Sequence, residues 1–185
     1  MNTRVLKPKG GPTILVRPLR NGDVDTVLAL FHRLGERSRR TRFNGAKAHL
    51  TEEELWQLAL VDSTHHVLVA YVEDDADPVA IARLVRDGLG AEIAFEVANA
   101  YQQRGIGSAL TEELLADARA AGITEITALV SSDNPAAVAL LRRALDTLDI
   151  SLDGPELWIR AAMPRLSQGL ASSPLRPPAW DRSLD

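Results

Sequence analysis

Two stretches carry groups suited to chemistry. In YQQRGIGSALTEELL, Tyr101 to Leu115, Gly105 and Gly107 stand two apart after Arg104, at the start of a helix-patterned run. Glycine inside a helix costs roughly 1 kcal/mol relative to alanine, so its use here needs a reason. The first N–H groups of a helix have no internal partners, and the helix dipole adds about half a positive charge there. Bare backbone at Gly105 and Gly107, a slim first turn at Ser108 and Ala109, and the charge of Arg104 together predict an anion site sized for a pyrophosphate. The second stretch is AEIAFEV, Ala91 to Val97, with Glu92 and Glu96 four residues apart. Strand alternation puts Glu92, Ala94, Glu96 and Ala98 on one face and Ile93, Phe95 and Val97 on the other. A carboxylate beside a bound group can accept a proton from it, directly or through water.

Three phosphate motifs compete for the glycines. A Walker A loop needs Gly-Lys-Ser/Thr, which is absent. A dinucleotide fingerprint needs a third glycine where Leu110 stands, and an acid at the end of the next strand, whereas Glu125 begins it. The pattern Q-x-x-G-x-G/A is matched in full by Gln102, Gly105 and Gly107.

These groups need elements to hold them. Residues 1–12 read as a flexible arm, because Lys7-Pro8-Lys9-Gly10-Gly11-Pro12 punctuates the chain. Thr13 to Arg20 reads as a strand. Asn21 or Asp23 then caps a helix with Val24, Val27, Leu28 and Phe31 on one face. ERSRRTRFNG reads as polar and irregular. Thr51 and Glu54 have capping-box spacing ahead of Leu55 and Leu58. Three strand patterns follow, HVLVAYVE, PVAIARLVRD and AEIAFEVAN, then the glycine-led helix, strand TEITALV, helix AAVALLRRAL behind Asn134-Pro135, and strands LDISL and ELWIRAAM. The order predicts an α/β layer protein with a mixed sheet. Residues 164–185 read as a disordered Pro/Ser-rich tail.

From Thr13 to Met163, and most densely from Glu92 to Leu145, the sequence resembles the GNAT superfamily of acyl-CoA-dependent N-acyltransferases, and within it bacterial protein lysine acetyltransferases. The resemblance implies a mixed, mostly antiparallel sheet of about six or seven strands with helices on both faces, spanning residues 13–163. It implies acetyl-CoA as the cofactor. Arg104 through Ala109 would cradle its phosphates, and backbone around Glu96, Val97 and Ala98 would pair with its pantetheine arm. Asn134 would contact that arm besides capping its helix. An amide near Val97 would stabilise the oxyanion. Glu92, in an A-E-φ strand start, is the first choice for general base and Glu96 the second. The family's tyrosine seven residues after the turn asparagine is replaced by Leu141, so no general acid is named.

Composition narrows the partners. Lys plus Arg is 21 and Asp plus Glu is 25, a formal net charge of -4, which offers no global field for nucleic acid or an anionic membrane. Without cysteine there is no thiolate metal site and no cysteine nucleophile. His32, His49, His65 and His66 lack metal-ligand spacing. No apolar run is long enough to span a bilayer and no signal-peptide core precedes the domain, so a cytoplasmic monomer or homodimer is expected. The expected acceptor is a primary amine, foremost a protein lysine. A small-molecule amine, or a non-catalytic acyl-CoA-binding sensor, are the alternatives.

Overall fold

A computed structural model describes residues 3–43 and 45–163. The expected tail, with Trp180, lies outside the described residues. Among the described residues eight strands form one sheet in the order β1-β2-β3-β4-β5-β6-β8-β7. They are β1 (Arg4–Leu6), β2 (Ile14–Pro18), β3 (His65–Val72), β4 (Ala80–Asp87), β5 (Gly90–Val97), β6 (Glu125–Ser131), β7 (Asp149–Asp153) and β8 (Glu156–Ala162). Among the described residues five α-helices accompany them: α1 (Val24–His32), α2 (Glu36–Phe43), α3 (Glu52–Leu58), α4 (Ile106–Ala120) and α5 (Pro135–Ala144).

Two expectations are corrected. The flexible arm contains β1, which pairs antiparallel with β2, from Arg4 opposite Val16 to Leu6 opposite Ile14. This raises the strand number from the expected six or seven to eight. ERSRRTRF is helical, although none of its residues is buried. Polar contacts hold it: Arg39 Nε donates to the Phe31 carbonyl at 3.2 Å and Ser38 Oγ to Asn99 Oδ1 at 2.9 Å. A helix anchored this way leaves no apolar stripe to read.

Two cores cover the two faces of the sheet. On one, α4 presents Ile106, Leu110, Leu114, Leu115 and Ala118 to Ile14, Leu68, Leu84, Ile93 and Ile126, with α5 adding Ala137 and Leu141. On the other, α1 contributes Val27, Leu30 and Phe31 against Leu19, Val67, Val69 and Ile81. Each fully buried leucine in these cores contributes about 1.5–3 kcal/mol. The caps fall as their residues dictate. Asp23 accepts from the Thr26 amide, and Thr51 and Glu54 form the reciprocal capping box.

One pair of strands shapes the site. β5 and β6 are parallel and pair only from Gly90 opposite Glu125 to Glu92 opposite Thr127. Beyond Glu92 they part, opening a gap at the sheet's centre toward the carboxyl ends of both strands. Ligands of open α/β sheets enter at such places.

Candidate active site

The gap is lined by unpaired backbone. Ala98 N donates to the Val79 carbonyl at 2.8 Å, so even-numbered residues of β5 turn their peptide groups toward β4. Ile93, Phe95 and Val97 therefore turn theirs toward β6 and, past Glu92, into the gap. The Val97 carbonyl already accepts from Gln102 Nε2 at 3.0 Å, while its N–H points into the open space. Glu96 and Ala98, expected to offer backbone to a pantetheine arm, do not. Glu96 faces Ile81 across β4, and the Ala98 carbonyl is taken by the Tyr101 amide at 2.8 Å.

A short 3-10 turn at Asn99–Tyr101 leads into the glycine loop. Gly105 caps α4 with φ 72°, a left-handed conformation, and Gln103 has φ 59°. Among the described residues the amides of Ile106, Gly107 and Ser108 have no protein acceptor, and the first helical bond is Ala109 N to the Gly105 carbonyl at 3.0 Å. This donor set fits a diphosphate. The glycines, however, serve the protein itself. A Cβ on Gly105 would lie 2.8 Å from the Lys9 carbonyl oxygen, and one on Gly107 would lie 3.1 Å from Leu140 Cδ1. Bare carbon here lets chain approach chain. Arg104 is exposed, with its guanidinium 5.5 Å from the Tyr101 ring centre.

The N-terminal segment completes this loop. Gly11 lies so close that a Cβ there would stand 2.1 Å from the Arg104 carbonyl oxygen. At the other end of the same segment, Arg4 donates to Glu113 at 2.8 Å and to Asp117 at 2.7 Å. Buried His66 shares Asp117, with Nε2 and Oδ2 at 2.8 Å. Sequence reasoning missed this segment; its lysines and glycines read as a loose arm.

Asn134 is the N-cap of α5, its Oδ1 accepting from the Ala137 amide at 3.2 Å. Pro135 at the first helical position completes that start. Leu141, where the family's tyrosine would stand, is fully buried in the core. Neither tyrosine phenol substitutes for it. Tyr101 donates to Asp75 at 2.8 Å, and the Tyr71 oxygen accepts from Arg17 at 2.6 Å.

The two glutamates share a face, yet differ in state. Glu92 is exposed and lines a cavity of about 260 Å³ with Arg42, Leu58, His65, Arg83 and Ala94. Glu96 is 8% exposed. Its Oε1 accepts from Arg42 Nε at 2.7 Å, and its Oε2 lies 3.6 Å from Arg83 Nη2. Burial pushes its carboxyl up, but the charges of Arg83 and Arg42 outweigh this and hold it below the usual range. A carboxylate so held is a poor proton acceptor. Burial also lowers Arg83, against the attraction of Glu96. The Arg42–Glu96–Arg83 cluster was not legible beforehand, since its members come from α2, β5 and β4.

The remaining polar candidates have structural partners. His65 bonds Asp62 at 2.9 Å, and no group of three or more His, Cys, Asp or Glu among the described residues is placed to hold a metal. Trp56 is 54% exposed and packs over Gly22. No helix among the described residues is long and apolar enough to cross a membrane.

Residues 31–146 match the model of the acetyltransferase (GNAT) family. The chain is 32% identical over 154 residues to acetyltransferase Pat of Mycolicibacterium smegmatis, an alignment covering 81% of this chain and 43% of that protein. It thus spans less than half the length of that relative. In three dimensions it is similar to the GNAT domain of PAT from S. lividans, with a TM-score of 0.79 at 24% identity over 87% of this chain and 97% of that one. It also shares its fold with spermidine N-acetyltransferase from Vibrio cholerae, solved with CoA and spermine, at a TM-score of 0.60 and 16% identity over 80% and 95% of the two chains. The parted strands, the left-handed glycine opening α4 and the family match together place the chain in the GNAT acetyltransferase family, whose members use acetyl-CoA.

Proposed function

We propose that the chain transfers an acetyl group from acetyl-CoA to a protein lysine ε-amine, with Glu92 accepting the amine's proton. The observation that carries this is the position of Glu92: exposed, on a cavity wall, at the residue where β5 and β6 part. A thioester held in the gap is approached by an amine from the cavity side, and Glu92 on that wall takes the proton through intervening water. Acetyl-CoA, when bound, supplies the activated carbonyl. The chain supplies the rest. Amides of Ile106, Gly107 and Ser108 hold the diphosphate, with Arg104 beside them. The Val97 N–H donates to the carbonyl oxygen as charge gathers there. Asn134 borders the arm from the β6 side. Glu92 takes the proton, and the departing thiolate takes its own from water or from the ammonium, because Leu141 offers none. Glu96, held below the usual carboxylate range by its two arginines, is the weaker acceptor of the two.

The lysine reading rests on the likeness to bacterial protein lysine acetyltransferases and on a cavity open enough to admit an aliphatic chain ending in an amine. Labelled acetyl-CoA offered with a protein lysate and, separately, with a panel of small amines tests it. Label on protein lysines is expected. Label in small amines alone rejects the lysine acceptor. Tight CoA binding without transfer to anything would make the chain an acyl-CoA-binding module.

A further inference from the structure

The cavity beside Glu92 has two electrically different ends. In the register of β4 and β5, Val85 faces Glu92, Arg83 faces Ala94 and Ile81 faces Glu96. Arg83 therefore enters the cavity wall two residues along from Glu92, about 7 Å at a strand's rise. Two guanidinium groups and one carboxylate sit at that end, an excess of one positive charge. Arg83 donates to the Leu58 carbonyl at 3.1 Å, and its Nε is buried without a hydrogen-bond partner. Arg42 spends its Nε on Glu96. Among the described residues its two terminal nitrogens make no hydrogen bond, and it too lines the cavity. Around them stand Leu58, Val67, Leu84 and Ile93. Such walls solvate a surplus charge poorly and favour an anion that cancels it.

We propose that the arginine end of the cavity binds a carboxylate borne by the acyl acceptor, about 7 Å from the amine that Glu92 receives. This rests on the reading of Glu92 as the amine's proton acceptor. The paired edge of the Arg42 guanidinium matches a carboxylate in shape. The charge count matches as well. One acceptor carboxylate neutralises the excess at the arginine end, and the acceptor ammonium is neutralised by Glu92. A phosphate dianion would leave surplus negative charge between two carboxylates. The carboxylate can belong to an acidic side chain next to an acceptor lysine or to a small ω-amino acid.

The test uses the full chain loaded with CoA. Calorimetry compares 5-aminopentanoate with pentylamine. Transfer assays with acetyl-CoA compare two lysine peptides that differ only in a flanking Glu or Gln. The carboxylate-bearing member of each pair is expected to win by at least about tenfold, the range of a charged hydrogen bond. Arg42→Gln should erase the preference, read as the ratio between the two members of each pair. Glu96→Gln should enlarge it, because it removes the competing carboxylate; a purely structural cluster would weaken both members. Preference in the peptides alone assigns the carboxylate to a protein, and preference in the small molecule alone to an amino acid. Equal binding of both members, or an Arg42→Gln chain that keeps the preference, overturns the proposal. Transfer without preference removes the carboxylate site and leaves the transferase reading intact. Arg42-dependent binding of 5-aminopentanoate without any transfer does the reverse.

Discussion

Replacing Gly105 with alanine separates what the left-handed cap costs from what the close approach of Lys9 costs. Gly105 has φ 72° and Gly122, just past the other end of α4, has φ 76°. Alanine in this region costs about 1–2 kcal/mol at either position. At Gly122 nothing lies within 4 Å of the new Cβ, so the cost stops there. At Gly105 the Lys9 carbonyl oxygen lies at 2.8 Å and the Lys9 nitrogen at 3.4 Å. Both are backbone, so the loop or the N-terminal segment must move, at a further cost on the order of 1–3 kcal/mol. For a chain of this size, 1 kcal/mol lowers Tm by about 2–4 °C. Gly122→Ala should lose a few degrees and bind CoA normally. Gly105→Ala should lose several degrees more and, by displacing the amides of Ile106 to Ser108, weaken CoA by at least about tenfold, or 1.4 kcal/mol. Differential scanning calorimetry and CoA titration on both variants read the two numbers. Equal Tm losses with wild-type CoA affinity in Gly105→Ala would show that neither the contact nor the loop geometry matters as argued.

Glu92→Gln should cut kcat by roughly 10²–10⁴, the span of general base catalysis, while CoA affinity measured by calorimetry stays unchanged. Asn134→Ala removes the cap on Ala137 and should destabilise the fold by about 1 kcal/mol, read by urea unfolding; a loss of CoA affinity as well would assign Asn134 its second role. Asp117 is pushed up by burial, but hydrogen bonds from His66 and Arg4 outweigh this and hold it below its ordinary 3.8. Its contribution is therefore complete above about pH 4 and fades as pH falls through the lowered value. Asp117→Asn should cost about 1–3 kcal/mol at neutral pH, a gap from wild type that narrows below pH 4, followed by unfolding across pH.

Elements with their own apolar period were legible in the sequence. Seven of the strands, the capping box at Thr51 and the proline-led start of α5 all declare themselves through neighbours within a few residues. The shared face of Glu92 and Glu96 also followed from alternation alone. What failed was non-local. α2 has no apolar stripe, and its helix depends on Asn99, Glu96 and the Phe31 carbonyl. β1 is three residues long and gains its register only from β2. The difference between Glu92 and Glu96 lies in Arg83 and Arg42, from 13 to 54 positions away in the chain. The glycines were found for a sound reason, helix-start chemistry, but the partners that demand bare backbone are Lys9 and Leu140. Those contacts exist only once the sheet is assembled.

The run from Arg4 to Gly11 touches α4 at both ends, at Asp117 and at Gly105. Between those two contacts α4 rises about 18 Å over twelve residues, so the segment lies along it like a splint on a bone. Stiffening of the glycine loop by CoA is therefore expected to reach an edge strand of the sheet. Amide exchange in β1, measured with and without CoA, is expected to slow on binding, and equal rates would show that the two ends move independently.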